Sequence, residues 1–112
     1  MLHFKDEVIV GSPIPEIIQA IYIVATCYNG YDCWITSMAD GLHKGKPVDE
    51  SGKDPHYVGK AVDFRIWNIP RPERAILIGK IVAQLSLPYV VLWEAKNTAN
   101  EHLHVQYGKI LK

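Results

Sequence analysis

The stretch "HYVGKAVDFRIW", residues 56–67, runs from a histidine through a glycine into alternating apolar and polar side chains. β-Branched and aromatic residues at that period predict a strand over "KAVDFRIW". Successive strand side chains point to opposite faces, so Val62, Phe64 and Ile66 should face a core and Ala61, Asp63 and Arg65 the other way. Gly59 would let the backbone turn closely enough for His56 to fold over the face that carries Asp63. "HLHVQYG", residues 102–108, repeats the alternation, with Leu103, Val105 and Tyr107 on the core side and His102, His104 and Gln106 opposite. Two strands thus bring Asp63 and a histidine pair to one open sheet face.

Outward from these strands the punctuation is clear. "PIPEIIQAIYIVATCYNG" begins with Pro13 and Pro15, continues with apolar residues at helical spacing and closes on Asn29-Gly30, the start and stop signals of a helix. "CWITSMA" reads as a short strand. Asp40 to Pro55 is rich in Gly, Lys, Asp and Pro without an apolar period, which predicts a long surface loop. "RPERAILIGKIVAQLS" has Pro72 and Glu73 in its first turn and a nearly continuous apolar stripe, so a second helix should pack on the sheet. "YVVLWEA" and "HLHVQYG" flank "KNTAN", whose asparagines suit a hairpin turn. The order helix, strand, loop, strand, helix, hairpin predicts a single α+β domain over 1–112, with a small antiparallel sheet and helices on one face.

Composition excludes several classes of function. A chain of 112 residues that is 48% apolar fits one folded domain with one core. Twelve basic residues balance twelve acidic ones, so no global field favours nucleic acid or an anionic membrane. "MLHFKDEVIV" places acidic residues where a secretory signal needs a basic end, and no stretch reaches the roughly 20 apolar residues of a membrane helix. No signal peptide and no membrane span are expected. Cys27 and Cys33 flank the turn "YNGYD" and are expected as free, buried thiols rather than a bridge. They lack the CxxC spacing, so any metal should be held by nitrogen and oxygen.

Two histidines and one carboxylate, with a position left for water, form a ligand set used by catalytic zinc. Four of the five histidines, His43, His56, His102 and His104, lie in or beside the segments that line the open face. The alternative at this point is a solvated sheet face with polar residues and no metal.

"DPHYVGKAVDF" resembles the HxxGxAxD motif of the zinc D-alanyl-D-alanine carboxypeptidases and related phage peptidoglycan peptidases, and "EHLHV" resembles their second metal motif. "ITSMADGLHKG" is similar to the segment that precedes the first motif. Hedgehog signalling domains share this zinc scaffold, and "DGLH", "HYVGKAVDF", "WEAK" and "HLHV" stand in the order of their counterparts there. The likeness spans Trp34 to Gly108. It implies that His56, Asp63 and His104 ligate zinc, that His43 lies near the metal without ligating it, and that His102 bonds a substrate or orients a ligand. Asp54 stands where the family has a small hydroxyl residue. "TSMADG" lacks the arginine with which carboxypeptidase members bind a terminal carboxylate, which counts against recognition of a free C-terminus and keeps an endopeptidase open. Of the Hedgehog calcium ligands only Asp40 has a counterpart, and no calcium site is expected.

A zinc peptidase needs a carboxylate to move a proton from the attacking water to the leaving amine. Glu101, three positions before His104, matches the peptidases and is the first candidate. Glu94 in "WEAK" matches the Hedgehog residue and is the second. Strict alternation puts Glu101 on the wrong face, so it serves only if a bulge turns it or it precedes the regular strand. The expected protein is a zinc metallopeptidase, a hydrolase of cell-wall peptidoglycan stem peptides acting as D,D-carboxypeptidase or endopeptidase in the manner of a phage endolysin. It would be a monomer, cytoplasmic in the producing cell, acting on the wall after release or delivery. The alternative is a non-catalytic Hedgehog-like zinc domain that binds a protein.

Overall fold

Five strands and two helices follow one another as β1 (Leu2–Phe4), α1 (Pro15–Cys27), β2 (Cys33–Ser37), β3 (Ala61–Arg65), α2 (Arg71–Gln84), β4 (Tyr89–Glu94) and β5 (His102–Tyr107). The structure is a computed structural model that describes residues 1–6, 8, 10, 11, 13–38 and 59–108. The loop expected over 40–55, with His43, and His56 beyond it lie outside the described residues.

The sheet order is β1-β2-β3-β5-β4. β2 to β4 pair antiparallel through the sheet, as the alternation predicts, but β1 pairs parallel to β2, Leu2 opposite Cys33. The sheet is therefore mixed and not the wholly antiparallel one expected. The physical reason is length: a three-residue strand is too short to show a period, and its parallel partner is reached only through the α1 crossover.

α1 opens with Pro15 in its first turn and is followed by Asn29 and Gly30, both with positive φ. That is the backbone state that Asn and Gly tolerate best and that ends a helix. Its buried stripe, Ile17, Ala20, Ile21, Val24 and Cys27, recurs at helical spacing and lies against β3 and β5. α2 lies against α1 and β4 and buries Leu77 and Ile81. Between the helices and the sheet, Ile35, Val62, Phe64, Leu103 and Val105 are fully buried. Each such side chain contributes roughly 1.5–3 kcal/mol of burial. The apolar half of each strand period is thus consumed by the helices, and the polar half is left for the opposite face. Both cysteines are free and buried on the core side, and burial pushes the Cys33 thiol up to about 12.

Candidate metal centre

The pairing register puts the polar side chains of three strands beside one another. Asp63 is opposite His104, Arg65 opposite His102, and on the other side of β5 Glu94 is opposite His102. Directly opposed residues share a face with Cβ atoms about 5 Å apart, close enough for short polar side chains to meet. On β2 the register shifts between Ile35 and Ser37, so that Ile35 pairs with Phe64 and Ser37 with Asp63. The extra residue, Thr36, is a bulge that returns Ser37 to the polar face beside Asp63.

The face expected to be open is buried at its centre: Asp63 is 4% exposed and His104 and Gln106 are 0% exposed. His104 Nδ1 lies 2.9 Å from Asp63 Oδ1, and its Nε2 lies 2.8 Å from Gln106 Oε1. Burial pushes the His104 pKa down, but its bond to Asp63, the charge of Asp63 and the bond to Gln106 outweigh burial, and the net direction is up.

His102 completes the arrangement. Its Nδ1 is 2.7 Å from the Asn100 carbonyl oxygen, which only accepts, so Nδ1 carries the hydrogen. Nε2 then faces Glu94 Oε1 at 2.9 Å and Asp63 Oδ2 at 3.7 Å. A nitrogen lone pair aimed at two carboxylates is stable only with a cation between them, either a proton or a metal ion. Asp63, Glu94 and His102 each offer a ligand atom, all within 4.8 Å of one another, and form a group that could hold a metal ion. The donors are nitrogen and oxygen, in keeping with cysteines that sit in the core.

Glu101 is not among them. It is 3% exposed, and Arg74 Nη1 donates to its Oε1 at 3.0 Å, Trp93 Nε1 to its Oε2 at 2.6 Å and the Asn97 amide to Oε1 at 3.2 Å. Trp93 pairs with Leu103 on the core side, so Glu101 obeys the alternation and points to the helices. Burial pushes its carboxyl up, but these hydrogen bonds and the Arg74 guanidinium hold it below the ordinary 4.5. The expectation that ranked Glu101 ahead of Glu94 for a place at the metal face is corrected on geometry. No bulge turns β5, and a buried arginine inside the apolar stripe of α2 holds the carboxylate from behind.

The chain matches no family model, no curated protein and no solved structure.

Sequence reasoning placed Asp63, His104 and His102 on one face, as the structure does, but preferred Glu101 to the Glu94 that the structure brings there, while His43 and His56 lie outside the described residues. It passed over Gln106 and Ser37 as site residues. Gln106 could have been found, since it continues the His102, His104 alternation; Ser37 could not, because only the bulge brings it to this face.

Proposed function

We propose that the protein is a zinc-dependent peptidase that hydrolyses peptide bonds of bacterial peptidoglycan stem peptides, as a D,D-carboxypeptidase or an endopeptidase of the endolysin type. The observation that carries this reading is the convergence of Asp63, His104, His102 and Glu94 on one sheet face, in the strand order that the HxxGxAxD resemblance requires. The ligands that the resemblance implies, His56, Asp63 and His104, are the proposed set, and imidazole and carboxylate donors suit Zn²⁺ without thiolate. His104 would ligate only by giving up its contact with Asp63 Oδ1 or with Gln106 Oε1, whereas Asp63, Glu94 and His102 already stand within reach of one ion. A zinc ion held there would supply Lewis acidity toward a peptide carbonyl and toward water.

The chain's own part is proton transfer and orientation. Glu94 accepts the proton of the attacking water and returns it to the leaving amine. His102, fixed by the Asn100 carbonyl through Nδ1, holds the Glu94 carboxylate through Nε2 at 2.9 Å. The buried centre around Asp63 and His104 excludes bulk water and strengthens each of these interactions.

Metal analysis and digestion of purified muropeptides test the proposal together. The purified chain should carry about one zinc, His56→Ala, Asp63→Ala and His104→Ala should each lose it, and the wild type should release D-alanine or a short peptide in a chelator-sensitive way. Zinc fully bound with no turnover on either substrate class would reject the peptidase and favour the protein-binding module, since Glu94 and His102 would then close the coordination shell.

A further inference from the structure

The helix side of the sheet, away from the metal group, carries a cavity of about 420 Å³ between the end of α1 and one side of α2. Its floor is apolar, since Tyr28, Ile69 and Leu77 are all buried. Its α2 wall bears Glu73, Ile76 and Lys80, at the three- and four-residue spacing of one helix face. Ile76 is 61% exposed at the rim, although an apolar floor lies beside it. The Tyr31 hydroxyl donates to Glu73 Oε2 and holds that carboxylate at the rim. Gly79, on the exposed side of the same helix, has open space where a Cβ would stand, so no packing within the chain asks for glycine there. Glycine weakens a helix interior relative to alanine, and what it offers instead is a low surface that another helix can approach closely. Ala75 and Ala83, both exposed and one turn to either side, lower the same surface.

The order of the charges says what that other helix is. Glu73 and Lys80 lie about 10 Å apart along α2, and the point midway between them falls between Ile76 and Leu77. A second α2 packed antiparallel about that point brings Glu73 of each copy opposite Lys80 of the other. It also sets Ile76 of each copy opposite Leu77 of the other, at the cavity. A parallel packing would oppose Glu73 to Glu73 and Lys80 to Lys80, and like charges disfavour it. The surface is thus complementary to itself about a two-fold axis, the isologous arrangement of most homodimers. We propose that two copies of this chain associate through antiparallel α2 helices, Ile76 of each entering the cavity of the other between two Glu73–Lys80 ion pairs. A helix of 14 residues is about 20 Å long, and pairing along it buries on the order of 1,000 Å², the lower limit of a specific interface, so the dimer forms only above about 10 µM. The expected monomer is the dilute form. The pairing leaves both metal faces open and does not depend on the peptidase reading.

Sedimentation equilibrium of the full chain between about 1 µM and about 1 mM is the test. The wild type should pass from monomer to dimer across that range, and raising the salt from about 0.05 M to about 0.5 M should weaken the dimer several-fold. Glu73→Lys and Lys80→Glu, both at exposed positions, should each raise the dimer dissociation constant about tenfold or more, because each opposes like charges twice. An equimolar mixture of these two variants should restore dimers of near wild-type affinity, since each altered charge then meets its opposite. Ile76→Ala should weaken association about tenfold or more, while its urea midpoint at about 1 µM stays that of the wild type. A wild type that remains monomeric to about 1 mM leaves the cavity to another occupant and overturns the inference. So does a dimer that neither charge variant weakens, or one that the mixture fails to restore. Association that requires zinc would be bridging through the metal face and would overturn it equally.

Discussion

Glu94 and Glu101 belong to one hairpin, and the alternation of its strands sends their carboxylates to opposite faces of the sheet. Glu94 meets His102 at 2.9 Å on the polar face, whereas Glu101 closes a buried pair with Arg74 at 3.0 Å. Their glutamine variants should therefore fail in different ways. Glu94→Gln keeps the shape of the side chain and removes the proposed proton acceptor, so on the peptidase proposal zinc should stay bound while turnover falls by about two to four orders of magnitude. Glu101→Gln should retain turnover wherever the chain is folded and lose about 3–5 kcal/mol of stability, because it leaves the Arg74 guanidinium buried without its counter-charge. The pH dependence separates the two further. The folded chain holds the Glu101 carboxyl below its ordinary 4.5, so its contribution is present above that value and is lost as pH falls through the lower folded value. Urea midpoints of the wild type should drop as pH falls below about 4.5 by more than those of Glu101→Gln. Equal slopes would mean that some other carboxylate carries the acid sensitivity.

At the scale of elements, legibility followed the length of the pattern. α1 and α2 announced themselves through proline at the start and helical spacing in between, and the Asn29-Gly30 pair marked the end of α1. β3 and β5 each carry five or six alternating residues, which sufficed to assign faces correctly and hence to bring Asp63 and His104 together. β1 has three residues and no period of its own; its strand state exists because the edge of β2 offers hydrogen bonds. Arg74 was equally hidden, since a charged residue in an apolar stripe looks like a solvated neighbour until Glu101, Trp67 O and Ile69 O are seen to surround it. The bulge at Thr36 depends on pairing with a strand far along the chain, and nothing local in "CWITS" signals it. The assigned faces make a direct prediction for packing. Leu103→Ala, at a fully buried site of β5, should cost about 2–5 kcal/mol, whereas Ile76→Ala on the outer side of α2, 61% exposed, should change stability by less than about 0.5 kcal/mol. Comparable losses from the two variants in urea unfolding would contradict the placement of the core.

Across the whole molecule, the two faces of the sheet ask for opposite things from the same strands. The helix side gains from burial of Phe64, Leu103 and Val105, but the same strands bury Asp63, His104 and Gln106 on the other side, where desolvation of a carboxylate and an imidazole is unfavourable. Mutual hydrogen bonds at 2.9 and 2.8 Å offset part of that cost. A divalent cation bound by these groups would offset more, and only in the folded chain, where the β3–β5 register holds Asp63 against His104. An ion that binds the native state alone stabilises it by about 4 kcal/mol when present at roughly a thousand times its dissociation constant. In a domain of about 100 residues each kcal/mol moves Tm by about 4 °C or more. Zinc should therefore raise the calorimetric Tm by about 15 °C, a chelator should reverse the rise, and Asp63→Asn should abolish the response while leaving a folded chain. Leu103→Ala, by contrast, should lower Tm with and without zinc by the same amount, because the core side does not touch the ion. A wild-type Tm that stays constant over a thousandfold range of zinc would show that the polar face is held together by its hydrogen bonds alone, and the metal assignment would fall with it.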